Sequence, residues 1–168
     1  MNRFIYLSAA GADPNSPSIF LRTKWYGEQE VKQICPEVTI LKPTLIFSSL
    51  NTDSSFVGRW TAAIRFLSGK GIIIGDGSAK VQPVYGHDVA LAIYNCIKSM
   101  ETIGQTYELG GPNVYTFKEI YESFFNTVNM HPYCISVPLH VAFDYYNSPA
   151  YTSLVVKEAV HPVEIVLI

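Results

Sequence analysis

Apolar and polar residues follow two rhythms along the chain, and each rhythm predicts a different element. The opening run Arg3-Phe4-Ile5-Tyr6-Leu7-Ser8 is short and β-prone and stops at the loop Gly11-Ala12-Asp13-Pro14-Asn15-Ser16-Pro17, which predicts a buried strand. From Ser18 to Ile34, Leu21, Trp25 and Val31 recur at helical spacing among Lys, Glu and Gln, and Cys35-Pro36 ends the helix. Val38 to Leu41 predicts a second buried strand.

Ser48 to Ser55 reads as a polar loop, and Phe56, Trp60, Ile64 and Leu67 share one face of a helix over 56–67. Glycines bracket the strand-like run Ile72-Ile73-Ile74, with Gly75-Asp76-Gly77-Ser78 as a hairpin-like turn. Asp88 is the expected N-cap of a helix through Lys98 whose inner face is Val89, Ile93, Cys96 and Ile97. A strand over 105–109 ends at Gly110-Gly111-Pro112. Thr116 and Glu119 form a capping box for a helix to Val128 with Ile120, Phe124 and Val128 facing inward. Beyond Pro132 no clean period remains, and residues 146–168 read as a tail or docking segment following one body over 1–145.

Strands alternating with helices predict an α/β fold with a mostly parallel sheet covered on both faces. So few core strands would leave long parallel edges unpaired. Either another polypeptide completes the sheet, or the sequence is the partial record of a longer one.

Composition narrows the partners. The 168 residues are 48% hydrophobic, 13% aromatic and 15% charged, with a net charge of -2 and no basic run, which argues against nucleic acid or an anionic membrane surface. No stretch reaches the roughly 18 apolar residues of a transmembrane helix, and Met1 to Ser8 lacks the layout of a signal peptide. Cys35, Cys96 and Cys134 are too few and too scattered for a disulfide framework and are expected as buried thiols. His87, His131, His140 and His161 have neither helical pairing nor carboxylates at metal spacing, so no metal site is expected.

The chemistry-bearing pattern is Ser8 at a strand end, Phe20 twelve residues on, and Lys24 one helical turn beyond. This spacing resembles the serine, tyrosine and lysine of the short-chain dehydrogenase/reductase superfamily. There the serine orients a carbonyl, the tyrosine passes the proton, and the lysine lowers the tyrosine pKa and holds the nicotinamide ribose. Phe20 breaks the pattern, because a phenyl ring has no ionisable proton. Tyr26 sits about 200° around the helix from Lys24 and is a poor substitute.

A wider series includes Phe4-Ile5-Tyr6-Leu7-Ser8-Ala9, Ala12-Asp13-Pro14-Asn15-Ser16-Pro17-Ser18, Phe20-Leu21-Arg22-Thr23-Lys24, Gly27-Glu28, Lys42-Pro43, Val81-Gln82-Pro83-Val84-Tyr85, Asp88-Val89-Ala90 and Gly111-Pro112-Asn113. It resembles the carboxyl-terminal half of the dehydrogenase-like accessory subunits of mitochondrial complex I, atypical members of that superfamily. The resemblance implies a Rossmann-like fold with a small second lobe. It also implies NADP(H) binding without turnover, other complex I subunits as partners, and a peripheral place on the matrix side of the inner membrane near the ubiquinone region.

The cofactor residues it implies are Ser8, Lys24, Pro43, Thr44 and Ile46. The Gly-x-x-Gly-x-x-Gly turn that cradles a pyrophosphate occurs nowhere in the sequence, so residues outside this chain, for instance a separate chain supplying the amino-terminal half, would have to bind the phosphates. The alternatives are an active NAD(P)-dependent short-chain epimerase or reductase, and a binding module that senses NADP(H) redox state.

Overall fold

Three parallel strands organise the first part of the structure, and the middle one carries the most deeply buried side chains. The computed structural model describes residues 3–48, 69–131 and 133–146. They fall into two compact units: residues 3–48 with 82–113, and residues 69–81 with 114–131 and 133–146. The helix predicted over 56–67, most of the loop from Ser48 to Ser55, His161 and the tail beyond Tyr146 lie outside the described residues.

In the first unit, β1 (Ile5–Leu7), β2 (Thr39–Pro43) and β7 (Thr106–Leu109) form a parallel sheet in the order β1-β2-β7. Tyr6 pairs with Ile40, and Leu41 with Tyr107. The β2 run Thr-Ile-Leu is buried on both faces, as a central parallel strand requires. The first strand was expected to be buried; instead Leu7 is 38% exposed. Among the described residues β1 pairs only with β2, so one of its edges lacks a covering neighbour.

Helix α1 (Ile19–Ile34) joins β1 to β2. Ser18 is its N-cap, accepting from the Leu21 amide, and Cys35 caps its far end. Helix α2 (Gly86–Lys98) buries Val89 and Cys96 as expected. Its start differs from expectation. The short parallel pair β3 (Ile46–Phe47) and β6 (Val84–Tyr85) runs directly into the helix, so Tyr85 occupies the cap position. Asp88 instead lies in the first turn, where a carboxylate still complements the helix dipole.

Alternation along the strands puts Tyr6, Ser8, Ile40 and Lys42 on one face of the sheet and Leu7, Thr39 and Leu41 on the other. The first face meets α1 through Glu28. On the second, the Thr39 hydroxyl donates to the Thr102 carbonyl just past α2, at 2.6 Å. The two helices therefore cover opposite faces.

The second unit centres on Phe125, Tyr121 and Ile73. Burying each such side chain is worth about 1.5–3 kcal/mol. The capping box at Thr116 and Glu119 forms as expected and opens α3 (Phe117–Thr127). The buried stripe is shifted by one residue: Tyr121 and Phe125 face inward, Ile120 and Phe124 flank them, and Val128 is 43% exposed. Tyr121 settles over Gly71, where a Cβ would stand 2.8 Å from its ring, and this contact sets the helix rotation.

Two elements appear where no period was visible. β9 (Cys134–Val137) pairs in parallel with β4 (Gly71–Ile74), and α4 (Leu139–Tyr146) follows. The Gly75–Ser78 segment is a turn but not a hairpin. The strands flanking it do not pair: β4 joins β9, whereas β5 (Lys80–Val81) is antiparallel to β8 (Tyr115–Thr116). All three cysteines are free thiols, with Cys96 buried and Cys35 and Cys134 partly so.

Two glycines separate crowding from backbone strain. A Cβ on Gly111 would lie 1.8 Å from the Pro83 carbonyl oxygen, a backbone atom that cannot step aside. Gly75 has open space but a φ of +64°. In urea denaturation Gly75→Ala is expected to cost about 1–2 kcal/mol, the left-handed penalty alone. Gly111→Ala should cost more than about 3 kcal/mol. Equal losses would contradict the packing around Gly111.

Candidate functional site

The residues singled out at the start of the chain meet where the end of β1 passes beneath α1. Lys24 reaches down from the helix and donates from Nζ to the Leu7 carbonyl at 3.0 Å. Its Nζ lies 5.8 Å from the centre of the Phe20 ring and 5.9 Å from that of Tyr6. Phe20 and Lys24 thus share a helix face as their spacing requires, and Phe20 is 56% exposed. Burial holds the Lys24 ammonium below its ordinary range.

Ser8 is adjacent but turned inward. It is buried, its amide donates to the Leu41 carbonyl at 2.8 Å, and its hydroxyl donates to Glu28 Oε1. Glu28 is the one buried residue of α1. Its carboxylate also forms an ion pair with Lys42 of β2 at 3.2 Å. One side chain therefore ties α1 to both neighbouring strands.

Tyr6 completes this layer. Its hydroxyl sits under the helix at Gly27, where an added Cβ would approach to 2.2 Å. Burial, and then the negative charge of Glu28, push its pKa above the ordinary tyrosine value. The direction is opposite to the lowered pKa that would activate a tyrosine for proton transfer.

The remaining implied cofactor residues divide. Pro43 is buried at the end of β2, and its carbonyl accepts from the Ala10 amide at 2.9 Å, which brings it beside the segment that follows Ser8. Thr44 is drawn the other way: its hydroxyl bonds the Gln82 carbonyl, and the Leu109 carbonyl at 3.3 Å. Ile46 opens β3 opposite Val84 and is 37% exposed. Ser8, Phe20, Lys24 and Pro43 are thus grouped around the end of β1, while Thr44 and Ile46 bond toward β6 and β7. Among the described residues no group of three or more His, Cys, Asp or Glu side chains is placed to hold a metal ion, and no helix is long and apolar enough to cross a membrane.

Glu28 carries this arrangement, yet its sequence assigns it no role. The available signal is its position. Residues 21, 25 and 28 lie on one helical stripe, so a carboxylate in line with Leu21 and Trp25 implies a buried cationic partner. Which lysine answers it depends on the register of β2.

No family model matches the chain. It is 35% identical over 144 residues to NADH dehydrogenase [ubiquinone] 1 alpha subcomplex subunit 9, mitochondrial, of Arabidopsis thaliana, covering 83% of this chain and 34% of that protein. It is 37% identical over 123 residues to the mitochondrial NADH-ubiquinone oxidoreductase 40 kDa subunit of Neurospora crassa, covering 73% of this chain and 30% of that one. The chain is homologous to part of the subunit 9 family.

This subunit 9 homologue spans about a third of the length of the curated relatives it matches. Its fold matches about half of an epimerase chain solved with NAD. The UDP-glucuronic acid 4-epimerase from Bacillus cereus superposes with a TM-score of 0.69 at 14% identity, over 81% of this chain and 48% of the epimerase. The expected carboxyl-terminal part of a Rossmann-like α/β fold, with a small, mostly parallel and incomplete sheet, is therefore present.

Two outcomes test the site's energetics. Glu28→Ala strands a largely buried Lys42 and leaves the Ser8 hydroxyl unpaired, so it should lower unfolding stability by about 3–5 kcal/mol. For Lys24 the sign runs through its depressed pKa. The folded state holds the proton less tightly than the unfolded chain, so charging opposes folding at all lower pH, and the penalty fades as pH approaches 10.5. Lys24→Met should remove that alkaline rise in stability, measured as urea midpoints against pH; an unchanged profile would contradict the assignment.

Proposed function

We propose that the chain is part of a non-catalytic accessory subunit of mitochondrial respiratory complex I. In this reading it holds NADP(H) without turning it over and supports assembly and stability near the ubiquinone region. The observation that carries the reading is Phe20, a ring without an ionisable proton on the same helix face as Lys24. General acid catalysis typically contributes about 10²- to 10⁴-fold, and among the described residues no other hydroxyl at the end of β1 replaces it. Ser8 donates to Glu28, and the Tyr6 hydroxyl is packed against Gly27.

The residues fit a dinucleotide in part. Lys24 spends one Nζ proton on the Leu7 carbonyl and keeps two for ribose hydroxyls. The Thr44 hydroxyl proton is engaged on backbone carbonyls, so only its lone pairs could serve a cofactor. A bound NADP(H) would bring hydride chemistry; these side chains would bind and orient it. The similarity to an epimerase fold solved with NAD supports a nucleotide of this class. The subunit 9 relatives support a mitochondrial location with complex I subunits as partners; to this we add NADP(H) as the particular nucleotide, a separate amino-terminal segment that binds the phosphates, and a peripheral place on the matrix side.

The reading is tested by recovering the tagged chain from mitochondria, releasing bound small molecules with acid, and identifying nucleotide and companion chains by mass spectrometry. NADP(H) and complex I subunits are expected, with no carbonyl reduction by the unmodified chain. Lys24→Met should lower nucleotide occupancy while the same subunits are retained. A free monomer, or turnover by the unmodified chain, would overturn the reading in favour of an active short-chain epimerase or reductase.

A further inference from the structure

We propose that the Asp76–Gly77 link is a latent site of isoaspartate formation, held closed by Ser78. Aspartate followed by glycine is the pairing most open to this rearrangement, because residue 77 has no side chain to screen its amide nitrogen from the carboxyl of residue 76. Asp76 and Ser78 are exposed in the turn between β4 and β5, so water reaches the link freely.

The rearrangement has two requirements, and the turn opposes both. The Gly77 nitrogen must reach the Asp76 carboxyl carbon. Yet Oδ1 of Asp76 accepts from the Ser78 amide at 2.9 Å and from the Ser78 hydroxyl at 2.6 Å, which directs the carboxylate forward along the chain. The carboxyl must also be neutral, since a carboxylate repels a nucleophile and has no good leaving group. The hydroxyl and then the amide of Ser78 hold it ionised and below its ordinary range, with a smaller contribution from the charge of Lys118.

The backbone on either side is pinned. The Gly75 amide donates to the Val137 carbonyl at 2.8 Å, and the Ser136 hydroxyl donates to the Gly75 carbonyl at 2.5 Å. The Lys118 amide donates to the Gly77 carbonyl at 3.1 Å, and the Phe117 amide to the Ala79 carbonyl at 3.0 Å. The Gly77 amide is held most loosely, 3.4 Å from the Ile74 carbonyl oxygen. The nucleophile is therefore nearly free, and the grip of Ser78 on the carboxylate is the main restraint.

Once that grip is lost, the Gly77 nitrogen bonds to the Asp76 carboxyl carbon, and the carboxyl hydroxyl leaves with the amide proton as water. The product is a five-membered succinimide. Water then adds to one of its two carbonyl carbons and breaks that carbon's bond to nitrogen. Opening at the side-chain carbonyl restores aspartate; opening at the main-chain carbonyl leaves isoaspartate, with no net change in mass. The isomer lengthens the backbone by one methylene and carries the Gly77 carbonyl away from the first turn of α3, the helix that bears Tyr121 and Phe125.

The test incubates the full chain at neutral pH for several weeks, folded and in urea, and measures isoaspartate at residue 76 by fragmentation mass spectrometry. Ser78→Ala, which removes the hydroxyl, and Ser78→Thr, which keeps it, are followed in parallel. Folded Ser78→Ala is expected to isomerise several-fold faster than the wild type with an unchanged urea midpoint, because residue 78 is exposed. Ser78→Thr should match the wild type, and in urea all rates should rise and converge. The proposal is overturned if folded Ser78→Ala is no faster than the wild type, or if Ser78→Thr speeds up as much as Ser78→Ala. It is equally overturned if the folded wild type isomerises as fast as in urea, or if the advantage of Ser78→Ala survives in urea, where it would come from local sequence and not from the turn.

Discussion

The arrangement at the end of β1 depends on one buried carboxylate. Glu28 is removed from water, and a lone ion there would be severely destabilising. Ser8 and Lys42 make the position tolerable by meeting it from two adjacent strands. Because these partners are fixed in the sheet, they fix the rotation of α1 about its axis. That rotation points Lys24 at the Leu7 carbonyl and leaves Phe20 at the rim. The helix has few other restraints on this angle, since Leu21, Trp25 and Val31 are only partly buried.

The same interaction accounts for the contrast between two lysines. Lys42 is neutralised and structural. Lys24 bonds the Leu7 carbonyl instead, although it is the one closer to Glu28 along the helix. Sheet register outweighs helical proximity here because Lys42 and Glu28 meet largely out of water, whereas an exposed Lys–Glu pair four apart on a helix is worth only about 0.2–0.5 kcal/mol.

What could be read from sequence was mostly local. The helical run from Ser18 to Ile34, its Cys35-Pro36 stop and the Thr116–Glu119 box depend on residues within a few positions of one another, and all three appear in the structure. The Ser8, Phe20 and Lys24 grouping was also legible, because one strand end and one helix face determine it. Glu28 was missed because its partner lies fourteen residues away across a strand pairing. The inward stripe of α3 was misplaced by one residue because Gly71, far off in sequence, provides the hollow that Tyr121 fills. β9 was invisible because its pairing with β4 rests on backbone hydrogen bonds, and its side chains Ile135 and Ser136 are exposed.

The contact between Tyr6 and Gly27 reaches beyond this chain. With 2.2 Å between the phenol oxygen and the position a Cβ would take, residues 6 and 27 behave as a single variable. A homologue that acquires alanine at the helix position must lose the hydroxyl at the strand position or tilt the helix, and tilting would part Glu28 from its partners. Across related sequences the two sites should therefore change as a correlated pair, tyrosine travelling with glycine, although they lie on different elements.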